Sequence, residues 1–347
     1  MDGSYGEGGG QILRTALALS CLTGLRFRVY NIRAGRKDPG LKPQHLLSVR
    51  TAASITGAEV KGDSLGSKEI FFCPGPVRPG VYSFDVGELK SSAGSTGLVF
   101  QTILPPLSFG DTPSSLKIRG GTHVEWSPPA DYIKEVFLPA IRLMGAEVRF
   151  SNPVLGYYPI GRGEIEAEVR PAKRPLRPLN IKARGRLLEV TVTSAASNLP
   201  ESIAQRQLVH ALSRLKGLSV VPEGRVILPP SPGRGTYLFI LARLENINAG
   251  FSVLGARGKR AETVSEEAAE SLLHYIERDG AVDKHLSDQM ALFMALAQGP
   301  SSITVEEVTN HLKTNIHVIE MFLPVKFCLS GGLGETGSLD VTGCGRG

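Results

Sequence analysis

A chain of 347 residues with 41% hydrophobic residues has enough apolar surface for one or two packed cores, which indicates a globular protein. No apolar run approaches the ~18 residues that a membrane span needs, and the N-terminus lacks the basic and apolar regions of a secretory signal, so we expect a cytoplasmic protein. Four widely spaced cysteines without C-x-x-C spacing indicate reduced thiols, and the net charge of +6 is compatible with a polyanionic partner without requiring one.

Three stretches of the chain share one order of elements, which indicates an internal repeat. Each has a Gly-rich or polar lead-in, an apolar helix containing Gln, a short strand, and a second helix after another polar lead-in. In the first stretch the helix, strand and second helix are predicted at residues 6–20, 25–35 and 42–60. In the second stretch they are predicted at residues 91–107, 114–121 and 128–148. In the third they are predicted at residues 285–299, 301–307 and 309–324, and a strand at 325–330 follows. Helices alternating with β-rich runs predict an α/β (α+β) fold in which each sheet packs its helices on one face.

The spacing of the repeats indicates an insertion. The second helices begin near His45, Asp131 and His311, so the second interval exceeds the first by 94 positions. The extra residues follow the basic, Pro-rich stretch "RPAKRPLRPLN" and contain their own predicted strands and helices. We therefore predict a main body formed by residues 1–181 and 279–347, and an inserted small α/β domain at residues 182–278; a plain C-terminal domain is the alternative.

The glycine-rich stretch "DGSYGEGGGQILR" is a candidate anion site. Glycines before a helix let backbone N–H groups approach an anion, and the helix N-terminus adds partial positive charge. Glu7 and Arg14 favour phosphoryl chemistry, because a carboxylate can hold a divalent ion and a guanidinium binds oxyanions. A structural tight turn is the alternative.

The stretch "NIRAGRKDPGLKPQH" is a second candidate. It carries Arg33, Arg36, Lys37 and Lys42 in a loop between the first strand and the second helix, on the same edge as the glycines. The loop is either a solvated run of charges or a phosphate clamp.

Polar residues in three other helices add to the pattern. Asp288 and Gln289, in "HLSDQ", could cap a helix or read a base edge, whereas Gln101 in an apolar helix is more typical of a satisfied core residue. In "VTNHLKTNIHVIEMFLP", Asn310 is the predicted N-cap and His311 lies in the first turn. A cap or surface histidine and a functional imidazole are both compatible with that position.

Taken together, the motifs "DGSYGEGGGQILR", "RAGRKDPGLKPQH", "SAGSTGLVFQT", "HLSDQ" and "NHLKTNIHVIEMFLPVKF" give the chain a resemblance to the RNA 3′-terminal phosphate cyclases that covers nearly all of it. The resemblance implies three related α/β repeats similar to the C-terminal domain of translation initiation factor three, with an inserted domain of thioredoxin-like topology. It implies that an RNA 3′-phosphate is converted to a 2′,3′-cyclic phosphate with ATP and a divalent metal, Mg²⁺ or Mn²⁺. The resemblance implies an RNA 3′ end as the partner, and it is compatible with either a monomer or a homodimer.

The same resemblance assigns candidate site residues. His311 matches the nucleotidylated histidine and Glu7 the metal-binding glutamate, and the positions that line ATP are matched by Gln101, Pro128, His285, Leu286, Ser287, Asp288 and Gln289. Arg14, Arg36 and Lys37 are our candidates for holding the RNA 3′-phosphate. His45 begins the equivalent helix of the first repeat, and we expect it to serve the RNA phosphate while His311 takes AMP.

Two departures and three alternatives accompany this interpretation. Leu155 and Arg162 alter the family's glycine-rich signature, and His285 stands where some relatives have tyrosine. A ribosome-biogenesis branch of the family shares the fold but lacks the nucleophile, so His311 argues against it. Enolpyruvate transfer enzymes have related repeats but need other ligands, and a pure RNA-binding module is disfavoured by 6% aromatic residues and no evident stacking platform.

Overall fold

The structure, a computed structural model, describes residues 1–6, 8–88 and 93–345. In this part of the chain, helices alternate with strands that form four separate sheets. The predicted mixed α/β class is therefore confirmed.

The N-terminal unit combines two helices with a three-stranded antiparallel sheet of order β1-β3-β2. Its elements are α1 (Gln11–Thr23), β1 (Phe27–Val29), α2 (Pro43–Thr56), β2 (Glu59–Lys61) and β3 (Ile70–Cys73). Both helices end at a glycine in the left-handed conformation, Gly24 and Gly57, as is common at helix C-termini.

The second unit contains a four-stranded sheet of order β4-β5-β7-β6, against which α3 and α5 pack. Its elements are β4 (Val81–Asp85), a 3-10 turn (Val86–Glu88), α3 (Thr96–Ser108), β5 (Ser114–Gly120), α4 (Ala130–Tyr132), a π-helical turn (Ile133–Phe137), α5 (Leu138–Met144), β6 (Glu147–Val154) and β7 (Gly163–Arg170). The second helix was predicted to be continuous, but a π-helical turn interrupts it just before Pro139, which lacks a backbone N–H. The Glu135 carbonyl oxygen instead accepts a hydrogen bond from the side chain of Asn248, at 2.8 Å.

The next segment forms a sheet of order β10-β9-β11-β12, on which two helices pack. After the short strand β8 (Asn180–Ile181), its elements are β9 (Leu187–Ser197), α6 (Glu201–Arg214), β10 (Glu223–Ile227), β11 (Gly235–Leu244), β12 (Asn248–Leu254) and α7 (Ala261–Glu277). All of them except β8 lie within the residues predicted to be inserted.

The C-terminal unit contains α8 (Lys284–Leu296), β13 (Gln298–Val305), α9 (Asn310–Phe322), β14 (Phe327–Ser330) and β15 (Gly337–Cys344). Its sheet has the order β14-β15-β13-β8. Strand β8, from before the inserted segment, therefore pairs in parallel with a strand that follows it, through Ser302 with Asn180 and Ile303 with Ile181.

Strand β11 joins two hydrophobic cores. Its alternate residues Leu238, Ile240 and Ala242 lie in a core with α6 and α7, while Tyr237, Phe239 and Leu241 lie in the larger core of the rest of the chain. Alternation along a strand directs successive side chains to opposite faces, so one strand serves both cores.

Helix α1 lies at the centre of the larger core. It packs against α2, α3 and α9, and ten of its thirteen residues are buried. This central position explains an apolar sequence with few polar side chains, and it brings the start of α1 close to α9.

The structure corrects one predicted helix cap, Asn310, and excludes the capping alternative for Asp288 and Gln289. Asn310 is the first residue of α9, and Thr309 is the N-cap, because its Oγ1 accepts a hydrogen bond from the Leu312 N–H at 3.1 Å. Asp288 and Gln289 lie inside α8, whose N-cap is Asp283. In both cases the cap lies upstream of the predicted residue.

Two predictions from composition can also be compared with the structure. Among the described residues, no helix has both the length and the apolar character needed to cross a membrane. The four cysteines are free thiols, as predicted.

The cap assignment leads to a stability prediction. Thr309→Ala should lower the free energy of unfolding by about 1 kcal/mol, because the Leu312 N–H loses its acceptor at the start of α9. Asn310→Ala, the matched control at the next position, should change it by less than about 0.5 kcal/mol. Urea unfolding followed by circular dichroism measures both variants, and a larger loss for Asn310→Ala would contradict the assignment.

Candidate active site

The amide of Asn315 connects three helices. Its Oδ1 accepts hydrogen bonds from Gln11 Nε2 at 2.9 Å and from Thr15 Oγ1 at 2.6 Å, both on α1. Its Nδ2 donates to the backbone oxygen of Asp288 on α8 at 2.8 Å. Asn315 is one helical turn after His311, so the face of α9 that carries His311 is the face held against α1 and α8.

His311 lines a pocket of about 400 Å³ between α8, α9 and the β14–β15 hairpin. Its lining residues are Lys284, His285, Asp288, Glu307, Thr309, Asn310, His311, Leu333 and Gly334. The structure thus brings together His311 from one predicted motif and His285 and Asp288 from another, "HLSDQ". Backbone hydrogen bonds from Val308 to Glu335 and from Gly334 to Val308, at 2.8 and 2.9 Å, fix the hairpin beside them.

The start of α8 is fixed by buried groups. Asp283 Oδ1 accepts hydrogen bonds from the N–H groups of His285 and Leu286 at 2.9 and 3.0 Å, and from the Tyr132 hydroxyl at 2.7 Å. Burial raises the pKa of Asp283 to about 6. Glu306 Oε2 accepts from the Lys284 N–H at 3.1 Å, and burial also raises its pKa. These contacts hold the turn of α8 that presents His285 and Asp288.

His285 is electrically neutral at physiological pH. The protein packed around its ring, and then the charges of Lys284 and His311, lower the pKa of His285 to about 4, although part of the ring faces the pocket. A neutral imidazole can lie beside a nucleobase without the cost of burying a charge. His285 and His311 line the same pocket.

Arg14 brings positive charge to the same place. Burial lowers the pKa of Arg14 to about 10, and the negative charge of Asp288 opposes this shift, so the guanidinium stays protonated at neutral pH. Arg14 Nη2 donates to Gln11 Oε1 at 2.8 Å, which orients the guanidinium beside the Asn315 contacts. The N-cap residue of α1 is Gly10, which has no side chain of its own to occupy the first N–H groups. The first N–H groups of α1 and Arg14 together suit an anion.

His45 lies against the start of α1. A Cβ on Gly10 would be 2.2 Å from His45 Nε2 and 2.8 Å from Arg14 Nη1, so only glycine fits. His45 Nδ1 accepts a hydrogen bond from the Lys42 N–H at 3.2 Å. Burial, and then the charges of Arg14, Arg33 and Lys42, hold the pKa of His45 well below its usual value. The ring is therefore neutral with its hydrogen on Nε2.

This tautomer separates the roles of the two histidines. An Nε2–H can donate a hydrogen bond to an anion near Gly10 and Arg14, but it has no lone pair with which to attack phosphorus. The Nδ1 lone pair of His45 is occupied by the Lys42 N–H. His311 is the histidine of the pair that lines the pocket.

The backbone of the basic loop contacts the glycine-rich segment. A Cβ on Gly8 would be 3.1 Å from the Gly35 nitrogen, so the two backbones are in close contact. Arg33 stabilises the loop itself, because its Nη1 donates to the carbonyl oxygens of Asp38 and Gly40 at 2.7 and 3.2 Å. Arg36 and Lys37 are exposed on this loop.

Among the remaining predicted ATP positions, Gln101, Gln289 and Pro128 lie at or near α3 and α8, whereas Leu286 and Ser287 have buried side chains. Gln101 Nε2 on α3 donates to Gln289 Oε1 on α8 at 2.8 Å, so these two residues pair directly. Pro128 lies near the start of α3, where its carbonyl oxygen would be 3.1 Å from a Cβ on Gly97. The side chains of Leu286 and Ser287 are instead buried beneath the pocket, and Ser287 Oγ donates to the Lys284 carbonyl oxygen at 2.9 Å.

Glu7, the predicted metal ligand, lies outside the described residues. Within residues 1–6, 8–88 and 93–345, no group of three or more His, Cys, Asp and Glu side chains comes together as a metal site. Mg²⁺ in nucleotide sites commonly needs only one or two carboxylates besides the phosphates. Asp288 is a pocket carboxylate of this kind, so the donor set fits a metal brought with a nucleotide.

Sequence reasoning missed Gln11 and Asn315. They are 304 positions apart, and their contact forms only when α1 and α9 pack together. The one local signal is the four-residue spacing between His311 and Asn315, which places both on one helix face.

Comparison with known proteins gives the family of this chain. A family model described as RNA 3′-terminal phosphate cyclase matches residues 5–329. Relatives named RNA 3′-terminal phosphate cyclase include those of Archaeoglobus fulgidus, 46% identical over 93% of this chain and 95% of the relative, and of Methylococcus capsulatus, 45% identical over 93% and 90%. One from Pyrobaculum neutrophilum is 43% identical over 95% and 94%. The chain therefore belongs to the RNA 3′-terminal phosphate cyclase family.

A solved EPSP synthase from Acinetobacter baumannii has a much weaker likeness. The match covers 96% of this chain and 62% of that one, at 12% identity and a TM-score of 0.30. A likeness of this size carries no conclusion about this chain.

The contact between Gly10 and His45 leads to a prediction for the site. Gly10→Ala should displace His45 or Arg14 and lower the rate of the reaction on RNA by roughly 100-fold, because displacements of about 1 Å at a reacting centre have effects of that order. Gly217→Ala is the matched control, since a Cβ there meets nothing within 4 Å. Equal rates for the two variants, with both folded by circular dichroism, would show that the contact does not matter.

Proposed function

We propose that this protein converts an RNA 3′-terminal phosphate to a 2′,3′-cyclic phosphodiester with ATP, through a covalent AMP adduct of His311. The proposal rests on one observation above all: the imidazole of His311 lines a pocket beside His285 and Asp288, in a chain that belongs to the cyclase family. In this proposal the protein is a cytoplasmic ATP-dependent ligase that forms AMP and diphosphate.

The first step would activate the histidine. A ring nitrogen of His311 attacks the α-phosphorus of ATP, a P–N bond forms, and the P–O bond to diphosphate breaks. Diphosphate carries away the bonding electrons. The pocket volume of about 400 Å³ lies within the range of small-molecule sites, roughly 300–1,000 Å³.

The groups beside His311 would stabilise the charge that moves in this step. Arg14 suits the phosphate oxygens of ATP, whereas the first N–H groups of α1 and the Nε2–H of His45 would receive the RNA 3′-phosphate in the later steps. Asp288, together with Glu7 as predicted from the sequence, would hold the divalent metal. When bound, that metal neutralises phosphate charge and orients the leaving diphosphate.

The nucleotide base would lie along α8. His285 is neutral there, and the paired Gln101 and Gln289 offer an amide face beside it. Pro128 adds an apolar surface near the start of α3. We propose that Leu286 and Ser287, with buried side chains, contribute through their backbone.

The RNA would react in two further steps. An oxygen of the 3′-phosphate attacks the phosphorus bound to His311, the P–N bond breaks, and AMP passes to the RNA end. The neighbouring 2′-OH then attacks the 3′-phosphorus, loses its proton and expels AMP, a ring closure that proximity alone favours strongly. Arg36 and Lys37, exposed on the basic loop, are the candidates for holding the RNA phosphate with Arg14.

We also propose the domain division predicted from the spacing. The body would comprise residues 1–181 and 279–347 as three repeats similar to the C-terminal domain of translation initiation factor three, and residues 182–278 would form a thioredoxin-like insert. The separate core around α6 and α7, and the pairing of β8 with β13, support it.

The test uses ATP labelled in its α-phosphate, followed by a denaturing gel. His311→Ala should abolish both covalent labelling and RNA cyclisation, because His311 is the protein group that takes AMP from ATP in this proposal. His45→Ala should keep labelling and lose mainly the RNA-dependent steps. His274→Ala, an exposed histidine on α7, is the matched control and should behave as the unaltered protein.

The reverse pattern would overturn the assignment. Labelling that survives His311→Ala and disappears in His45→Ala would make His45 the nucleophile. An unaltered protein that takes no label from ATP while it cyclises RNA would overturn the covalent mechanism altogether.

A further inference from the structure

Large apolar side chains are exposed on two neighbouring loops. Trp126, the only tryptophan of the chain, is 94% exposed, and Tyr158 and Ile160 are 78% and 44% exposed. We call these three residues the aromatic rim. Trp126 also has a φ of 61°, in the left-handed region that a bulky residue rarely adopts. An exposed aromatic ring in a strained backbone conformation often marks a binding position.

The two loops that carry the aromatic rim are fixed to each other. The N–H groups of Thr122 and His123 donate to the Gly156 carbonyl oxygen at 3.0 and 3.1 Å, and the Gly156 N–H donates to Thr122 Oγ1 at 2.9 Å. The His123 side chain is held in turn, because its Nε2 lies 2.9 Å from Asp131 Oδ2. The rim is therefore presented by an ordered support.

The aromatic rim continues the edge of the candidate site. The loop of Trp126 also contains Pro128, next to the start of α3. Just before α3, Ser95 forms a β-bridge with Gly121, at the beginning of that loop, and its N–H donates to Gln44 Oε1 at 3.1 Å. Gln44 directly precedes His45 in the chain, so backbone and side-chain hydrogen bonds connect the start of the helix of His45 to the loop that carries Trp126.

The charge of the surrounding loops suits a polyanion. Residues 121–129, 156–162 and 230–235 contain three residues of fixed charge: Glu125, Arg162 and Arg234, all exposed. The third loop is attached to the others, since the Leu155 N–H donates to the Pro230 carbonyl oxygen at 2.9 Å. With two guanidinium groups and one carboxylate, these three loops carry a net positive charge beside the exposed rings.

We propose that the aromatic rim binds the nucleobases of single-stranded RNA a few nucleotides before its 3′ end. The inference rests on the proposed function, which places the 3′-phosphate at the start of α1 and the basic loop. Unpaired bases stack on exposed aromatic rings, while arginines contact the phosphates between them. The fixed loops hold Trp126 in place before RNA arrives, so little ordering is needed on binding.

The single tryptophan makes the test direct, because all tryptophan fluorescence comes from Trp126. Titration with a short RNA oligonucleotide ending in a 3′-phosphate should quench this fluorescence to a saturating level. A nucleoside 3′-phosphate should leave it unchanged, since it has no upstream base that could reach the rim.

Kinetics give a second readout. Trp126→Ala should raise the KM for the oligonucleotide about tenfold, as expected when stacking on one base is lost, while self-labelling by ATP stays unchanged. Trp126→Phe should restore most of the KM, because phenylalanine keeps an aromatic face. Circular dichroism melting tests whether each variant is folded. We expect both variants to be folded, because the side chain of Trp126 is exposed.

Each other outcome overturns a different claim. Unchanged fluorescence at saturating RNA, or an unchanged KM in Trp126→Ala, would refute the rim as an RNA surface. Fluorescence that depends on protein concentration alone, with no response to RNA, would assign the rim to contact between copies and refute the proposal. Quenching by RNA in a protein that takes no label from ATP would support the RNA surface and refute the proposed chemistry instead.

Discussion

The arrangement of the site depends on one buried side-chain amide. Asn315 is 5% exposed, accepts hydrogen bonds from two residues of α1 and donates to a carbonyl oxygen of α8. If Asn315 lost these partners, each unsatisfied buried polar group would lower the stability of the protein by roughly 1–3 kcal/mol. The hydrogen bonds of Asn315 therefore favour the packed arrangement of the three helices. Because His311 is one turn before Asn315, the same contacts fix the direction of the proposed nucleophile.

Close packing around Gly10 supplies the second constraint. The absence of a Cβ allows the His45 ring and the Arg14 guanidinium to reach the start of α1, whose N-cap residue is Gly10 itself. The hydrogen bond from the Lys42 N–H then selects the tautomer of His45. His45 and His311 were predicted to occupy equivalent positions in two repeats, but their different surroundings give the two rings different chemical roles. One becomes a fixed hydrogen-bond donor, and the other lines the pocket.

Local patterns were enough to predict much of this molecule. Apolar periodicity predicted α1 and α9, and the placement of "HLSDQ" at the start of α8 was confirmed. Strands as short as β2, with three residues, and β8, with two, are too brief to show alternation, so their pairing depends on neighbours distant in sequence. The predicted cap Asn310 was wrong because two adjacent residues can both cap a helix, and only the hydrogen bond of Thr309 decides between them. Gln11 and Asn315 meet only through tertiary packing, and the aromatic rim assembles from separate loops, so sequence reasoning found no stacking platform.

The most direct measurement of the central claim is the location of AMP on the protein. After incubation with ATP and a divalent metal, the protein would be digested at alkaline pH, where a phosphoramidate is stable, and its peptides sequenced by mass spectrometry. The account predicts AMP on one residue, His311, and its loss after brief acid treatment. AMP on His45 or on a lysine, or an adduct that resists acid, would contradict it.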